Sequence, residues 1–177
     1  IAVKADNSEQ PNSRWYSGAG IYRPVTLWTA PARHILPDGV QVRTLSIDPA
    51  EVEVTVQTTA SGAVAVAILD GEQTVATAQA ESNGKAVLRV QIPNAKLWSP
   101  DSPALYRCRA MFGDDCAETT FGVRTLSWGD DGFLLNGKRV ILLGACVHHD
   151  HGVLGACCYP EAEERKVRLL QKVGYNA

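Results

Sequence analysis

The sequence predicts a mainly β fold. It holds an antiparallel β-sandwich over residues 31–123, strand-like pieces before it, and the opening of a parallel α/β unit after it. Three observations predict this. Residues 31–123 alternate apolar and polar side chains, with turn signals roughly every 8–12 residues, as antiparallel strands with one buried face do. Val140–Val147 instead runs without alternation, as a strand buried on both faces does. A helical pattern from Pro160 to Val173 follows that run.

In chain order, Ile1–Ala5 and Ile21–Trp28 are the two strand-like pieces, separated by a polar loop from Asp6 to Asn12 and a segment ending at Gly20. About thirty residues cannot bury a core alone, so these strands need a partner sheet from outside the chain. The sandwich then supplies about seven strands. They are Val40–Ile47, Glu51–Thr59, Val64–Leu69, Gln73–Gln79, Lys85–Ile92, Ala104–Phe112 and Ala117–Val123. Asp48-Pro49, Ser61-Gly62, Asp70-Gly71, Asn83-Gly84, Pro93-Asn94 and Gly113-Asp114-Asp115 separate them as turns.

Tyr106-x-Cys108 opens a late strand and resembles the Tyr-x-Cys of immunoglobulin domains. No cysteine precedes Cys108, so the matching inter-sheet disulfide cannot form. The sandwich is therefore immunoglobulin-like and held by packing. Tyr106 either bonds back to upstream backbone or is a half-buried strand aromatic. The cysteines, Cys108, Cys116, Cys146, Cys157 and Cys158, are odd in number and confined to the C-terminal part, so they read as mostly free thiols.

After Phe121 the texture changes. Asn136-Gly137 signals a type I′ hairpin turn inside Phe133–Ile141. Pro160 suits a first helical position, Glu161, Glu163 and Glu164 suit the positive helix end, and Lys172 the negative end. Glu161–Arg165 and Glu164–Arg168 are i,i+4 pairs, while Val167, Leu169, Leu170 and Val173 form an apolar stripe. Gly174 stops the helix, and Tyr175-Asn176-Ala177 begins the next strand. Together these make one βα unit of a parallel α/β domain.

The composition bounds function. Hydrophobic residues make up 45% of 177, enough for a core, and a net charge of −2 argues against a nucleic-acid surface. No apolar run reaches the ~18 residues of a membrane span. The chain opens on Ile1 and reads as a segment cut from something longer. No phosphate loop, nucleophile elbow or dinucleotide fingerprint is present; Gly18-Ala19-Gly20 is a loop fragment.

Chemistry-bearing residues concentrate in Cys146, His148, His149, Asp150 and His151. Cys146, His148 and Asp150 share one face of an extended strand, but their ~6.5–7 Å spacing suits no single metal ion. No metal and no cofactor are expected. At the C-terminal end of the first strand of a (β/α)8 barrel, the same cluster would stand on the active-site rim, where imidazoles and a carboxylate hydrogen-bond sugar hydroxyls. Individually, His149, Asp150 and His151 serve equally well as caps on loop backbone. Asp70, Asp114, Asp115, Asp130 and Asp131 fall in turns, Glu51, Glu53, Glu72, Glu81 and Glu118 on solvated positions, and Glu161, Glu163 and Glu164 at a helix start. None forms the close carboxylate pair that retaining glycoside cleavage needs.

Three segments together resemble family 2 glycoside hydrolases. Asn12–Val25, with Arg14, Trp15, Tyr16, Gly18, Gly20, Tyr22, Arg23 and Pro24, resembles the end of that family's sugar-binding jelly roll. Leu97–Tyr106, with Trp98, Pro100, Asp101 and Pro103, resembles the late part of its immunoglobulin-like domain. Phe121–Thr125, Gly132–Lys138, Gly144, His148-His149-Asp150 and Leu154-Gly155 resemble the lead into its barrel. The resemblance implies three parts: 1–30 as the jelly-roll tail, 31–123 as the sandwich, and 124–177 as the truncated start of the catalytic barrel. It implies a parent β-galactosidase, β-glucuronidase or β-mannosidase that retains configuration, with β-galactosidase first. The family's two catalytic glutamates lie on later barrel strands, so no catalytic residue is assigned in this chain and the chain alone is expected to be inactive. His148, or His149 with a one-residue slip, matches a family histidine near the sugar. His148, His149 and Asp150 are the expected substrate-binding residues.

Arg14, Trp15 and Tyr22 either stack on sugar or pack domains together, and packing is preferred. Trp98 is expected as a core or interdomain plug, with Trp28 and Trp128 at junctions. The rival class is a non-catalytic sandwich that binds carbohydrate or mediates domain contacts. Expected partners are a carbohydrate substrate of the parent and, through exposed strand edges, a second copy of the chain. Neither nucleic acid nor membrane is expected as a partner. The compartment is left open, a periplasmic or secreted bacterial location being preferred to the cytoplasm.

Overall fold

The computed structural model describes residues 2–6, 8, 20–21, 25–148, 151–155, 157 and 159–177. They group into two compact units: Thr29–Ile141, and the described part of Ile1–Trp28 with Leu142–Ala177.

The larger unit is built on five antiparallel strands: β1 (Ile35–Ile47), β2 (Ala50–Asp70), β3 (Gln73–Gln91), β4 (Tyr106–Phe112) and β5 (Asp115–Phe121). β2 and β3 form a long hairpin, paired from Glu51↔Gln91 to Asp70↔Gln73. The other edge of β2 is shared. β1 takes its first half, as in Val42↔Val54, and β4 its second half, as in Val66↔Ala110. β5 pairs outside β4.

Strict alternation along β2 decides where the core lies. Val52, Val54 and Val56 in the first half, and Val64, Val66 and Ile68 in the second, are all 1% exposed or less. They join Leu88, Val90, Cys108, Ala110 and Phe112 in a single cluster. Both halves of one hairpin thus face the same core, so the sheet is folded over on itself as a sandwich. Burying each such Val or Ile is worth about 1.5–3 kcal/mol against leaving it exposed.

The expectation of seven strands is corrected to five, because two pairs of expected strands are continuous as β2 and β3. Ser61-Gly62 and Asn83-Gly84 are not strand-ending turns: Ser61 still pairs with Asn83, and Gly62 with Ser82. Between Gln57↔Lys85 and Ser61↔Asn83, residues 58–60 face only Gly84, which makes a bulge. The extra backbone bends the hairpin from one layer to the other. Polar side chains span the corner, with Ser61 Oγ donating to Asn83 Oδ1 at 2.7 Å and the buried Thr58 and Ser82 hydroxyls 2.7 Å apart. Corners and turns draw on the same residue types, so the pattern could not separate them.

A second sheet in this unit comprises β6 (Leu126–Gly129), β7 (Gly132–Leu135) and β8 (Lys138–Arg139). Its β7–β8 turn is the expected one: Asn136 and Gly137 both adopt positive φ, 50° and 74°.

Two further expectations are corrected. Val140–Val147 is not a strand; β8 ends at Arg139, and Ile141, Leu142 and Leu143 are 67%, 54% and 53% exposed. The described parts of Ile1–Ala5 and Ile21–Trp28 are likewise not strands. These segments are apolar enough, but a strand requires a run of backbone hydrogen bonds to a neighbour, and none of their described parts is paired into a sheet.

In the smaller unit, α1 (Pro160–Lys172) forms as expected, with Pro160 at its first position and Tyr159 as N-cap. It ends in a Schellman arrangement: Tyr175 N donates to Leu170 O at 3.1 Å and Gly174 N to Gln171 O at 3.0 Å. The pair Glu164–Arg168 is present at 2.5 Å. A single 3-10 turn, Gly152–Leu154, precedes the helix.

Candidate functional site

The smaller unit carries the expected site. The chain approaches it without regular secondary structure, turns through 151–155, enters α1 and returns. On return, Asn176 N donates to Leu143 O at 2.9 Å, and Leu143 N donates to Asn176 Oδ1 at 2.7 Å. A Cβ on Gly144 would stand 2.9 Å from Ala177 O, so glycine lets the returning chain come this close. The segments before and after α1 therefore meet side by side, as neighbouring strands of a βα repeat do.

His148 stands at the end of this approach, exposed, and its backbone carbonyl accepts a hydrogen bond from Lys166 Nζ at 2.9 Å. His149 and Asp150 lie outside the described residues, as do Arg14, Trp15, Tyr22 and Cys158. Of the expected substrate-binding trio, the structure therefore locates His148. Among the described residues, no three His, Cys, Asp or Glu side chains gather as a metal-binding group.

Sequence reasoning missed a contact next to this segment. His151, its side chain only 8% exposed, places Nε2 2.6 Å from Glu163 Oε1 on α1. An ionised carboxylate only accepts hydrogen bonds, so Nε2 carries the proton and donates it. This bond chiefly holds the Glu163 carboxyl below its usual range, and the Lys166 charge adds to the effect against some desolvation. Lys166 Nζ stands 3.4 Å from Glu163 Oε2. The sequence marks Glu163 only as a favourable charge at a helix start. Nothing in a twelve-residue separation announces a His–Glu contact across a turn.

In the larger unit, further ion pairs tie strands to one another or to neighbouring loops. Glu118 pairs with Arg109 at 2.5 Å and Arg107 at 3.3 Å, Asp70 with Lys96 at 2.6 Å, and Glu53 with Arg43 at 3.0 Å. Arg109 chiefly lowers the Glu118 pKa.

In the larger unit an open groove of about 560 Å3 lies between Val42–Leu45 of β1, Thr120–Gly122 at the end of β5, and Arg124–Leu126. Its two guanidinium groups are already engaged: Arg43 by Glu53, and Arg124 over the Trp98 ring at 4.3 Å. Trp98 is a half-buried plug within this unit, its N–H bonded to Val123 O at 2.9 Å. Trp28 and Trp128 are 70% and 79% exposed. Tyr106 does bond back to upstream backbone: Lys96 N donates to its hydroxyl at 2.8 Å while its ring stacks on Phe121. Cys108, Cys116, Cys146 and Cys157 are free thiols.

Comparison with known proteins fits this frame. Residues 38–124 match the family model described as Glycosyl hydrolases family 2. The chain is 35% identical to the β-galactosidase BoGH2A of Bacteroides ovatus, over 99% of the chain and 23% of the relative. It is 32% identical to a putative β-glucuronidase of Formosa agariphila, over the whole chain and 18% of the relative. A solved structure of a glycosyl hydrolase family 2 member from Bacteroides cellulosilyticus superposes with a TM-score of 0.80 at 33% identity, over 95% of this chain and 26% of that one. The chain thus spans roughly a quarter or less of the length of these relatives. The alignments run through the sandwich and onward past His148 and α1, and the chain belongs to glycosyl hydrolase family 2.

Proposed function

We propose that this chain is a central piece of a retaining exo-β-glycosidase that removes terminal β-linked sugars, with β-galactosides as first substrate. The observation that carries this is the near full-length likeness of the chain to relatives named β-galactosidase and β-glucuronidase. Residues 1–30 are then the tail of a jelly roll, 31–123 a scaffolding sandwich, and 124–177 the start of a barrel. The meeting of Leu143 with Asn176 around α1 supports the last of these, since adjacent barrel strands are joined in this way. His148, His149 and Asp150 stand at the barrel rim and hydrogen-bond sugar hydroxyls. The acid/base and nucleophilic carboxylates come from segments beyond this one, no cofactor takes part, and the chain alone does not turn over.

A β-glucuronide is the second candidate substrate, favoured by the name of the Formosa relative. The test uses the longer protein that contains this chain, assayed with nitrophenyl β-galactoside, β-glucuronide and β-mannoside beside the isolated chain. Hydrolysis of the galactoside by the longer protein alone is expected. Preference for the glucuronide transfers the assignment to that sugar. Turnover by the isolated chain, or no turnover of any of the three by the folded longer protein, overturns the proposal.

A further inference from the structure

His148, one of the three residues proposed to meet sugar, and His151 mark the two ends of a short segment, and both are held by the same stretch of α1. At one end Lys166 Nζ donates to the His148 carbonyl at 2.9 Å. At the other, Glu163 Oε1 takes the His151 Nε2–H at 2.6 Å. Glu163 and Lys166 are three residues apart, so they project from one face of the helix. They also contact each other, with Nζ 3.4 Å from Oε2, which makes a continuous chain from the His151 ring to the His148 carbonyl. The two grips differ in exposure. The His151 side chain is 8% exposed and that of Lys166 22%, whereas the surface pair Glu164–Arg168 on the same helix is 61% and 71% exposed. Charge-assisted bonds between half-sheltered groups are stronger than surface pairs. The turn behind His151 is closed locally, with His151 N donating to Gly155 O at 3.0 Å and Leu154 N to His151 O at 3.2 Å. The ring therefore anchors a formed turn, and its grip on Glu163 is passed to backbone.

We propose that Glu163 and Lys166 are positioning residues: they hold His151 and the His148 backbone against α1 and so set where His148 presents itself to the sugar. This rests on the glycosidase proposal above. Neither residue touches substrate. Each acts through a backbone that a small displacement would take out of hydrogen-bond reach.

Two experiments separate the clamp from the function it serves. In the chain itself, nitrogen-detected NMR of the His151 ring reads the clamp directly. In the native sequence the ring carries its proton on Nε2, in a slowly exchanging hydrogen bond. In Glu163→Ala that bond is lost, and the Nε2 proton exchanges fast or is shared with Nδ1. An unchanged His151 ring signal in a folded Glu163→Ala chain overturns the clamp whatever the activity of the longer protein. In the longer protein, Glu163→Ala and Lys166→Met are each expected to raise KM for the best nitrophenyl glycoside roughly tenfold with kcat within about twofold, as misplacement of a binding wall does. Lys166→Arg, which restores a donor to the His148 carbonyl, is expected to bring KM back to within about threefold of native. KM unchanged in both disruptive variants, or no recovery in Lys166→Arg, overturns the positioning role. Inactivity of the native longer protein refutes the glycosidase proposal and with it the role toward sugar, while the ring signal still decides the clamp.

Discussion

Asn136 holds Trp98 in place. Its side-chain Nδ2 donates to the Trp98 carbonyl at 3.0 Å, while Oδ1 accepts from Thr125 N at 2.9 Å. Its own backbone N–H donates to Thr125 O at 2.9 Å. One turn residue therefore ties the loop carrying Trp98 to the start of β6, besides supplying the left-handed conformation the hairpin needs. Asn136→Asp keeps the conformation and the Thr125 bond but loses the donor to Trp98, and should cost about 1–2 kcal/mol. Asn136→Ala loses both bonds and strains the backbone, for about 2–4 kcal/mol. Urea unfolding of the two variants, with that order of midpoints, checks this.

Gly122 is the seat of the Trp98 side chain. A Cβ there would lie 2.7 Å from Trp98 Cβ and 2.8 Å from two ring carbons. The ring cannot withdraw freely, because Trp98 N is bonded to Val123 O and Arg124 lies over its face. Gly122→Ala is expected to destabilise by about 1–3 kcal/mol, as overpacking does. The same change at Gly113, where a Cβ meets nothing, carries only the cost of its positive φ. A drop in Trp-specific near-ultraviolet signal in Gly122→Ala alone would identify the indole as the group displaced.

The Tyr106 hydroxyl accepts the Lys96 amide, and its ring stacks on Phe121 with centroids 5.8 Å apart. Tyr106→Phe keeps the stack and leaves an amide without its partner, a loss of about 1–2 kcal/mol. Adding Phe121→Leu should increase the loss by about a further 1 kcal/mol. A double-mutant cycle by thermal unfolding measures both.

Cys108 is fully buried, and burial pushes its thiol pKa up to about 11 from 9.0. Folding therefore favours the protonated thiol. Its contribution is intact below the unfolded thiol's pKa and is lost as pH rises from about 9 through about 11, on the order of 3 kcal/mol in all. Stability measured across that range should fall more steeply in the native chain than in Cys108→Ala. Ellman's reagent at neutral pH should modify Cys116, which is exposed, far faster than Cys108.

The sandwich was legible where one physical rule governed a whole strand. Alternation in Glu51–Thr59 marked Val52, Val54 and Val56 as core because their sheet has one dry face. Asn136-Gly137 fixed a turn because few residues tolerate positive φ. The bend at Ser61-Gly62 looks like a turn in the sequence because a corner and a turn use the same chemistry, and only pairing tells them apart. Val140–Val147 has the composition of a buried strand, but composition does not supply a sheet: the segment meets the returning chain only around Leu143, and Ile141, Leu142 and Leu143 stay exposed. At the site, His148 was visible as a histidine at the end of an apolar run. The Glu163 contact with His151 was not, because it depends on how a helix face meets a turn rather than on any local pattern.

We propose above all that His148 forms part of the sugar-binding wall of a family 2 glycosidase. The most direct measurement is kcat/KM of the longer protein with His148→Ala, on whichever nitrophenyl β-glycoside the native protein cleaves best. A fall of roughly tenfold to a hundredfold, with the melting temperature unchanged, is the predicted result. A value within about twofold of native in a folded variant would contradict it.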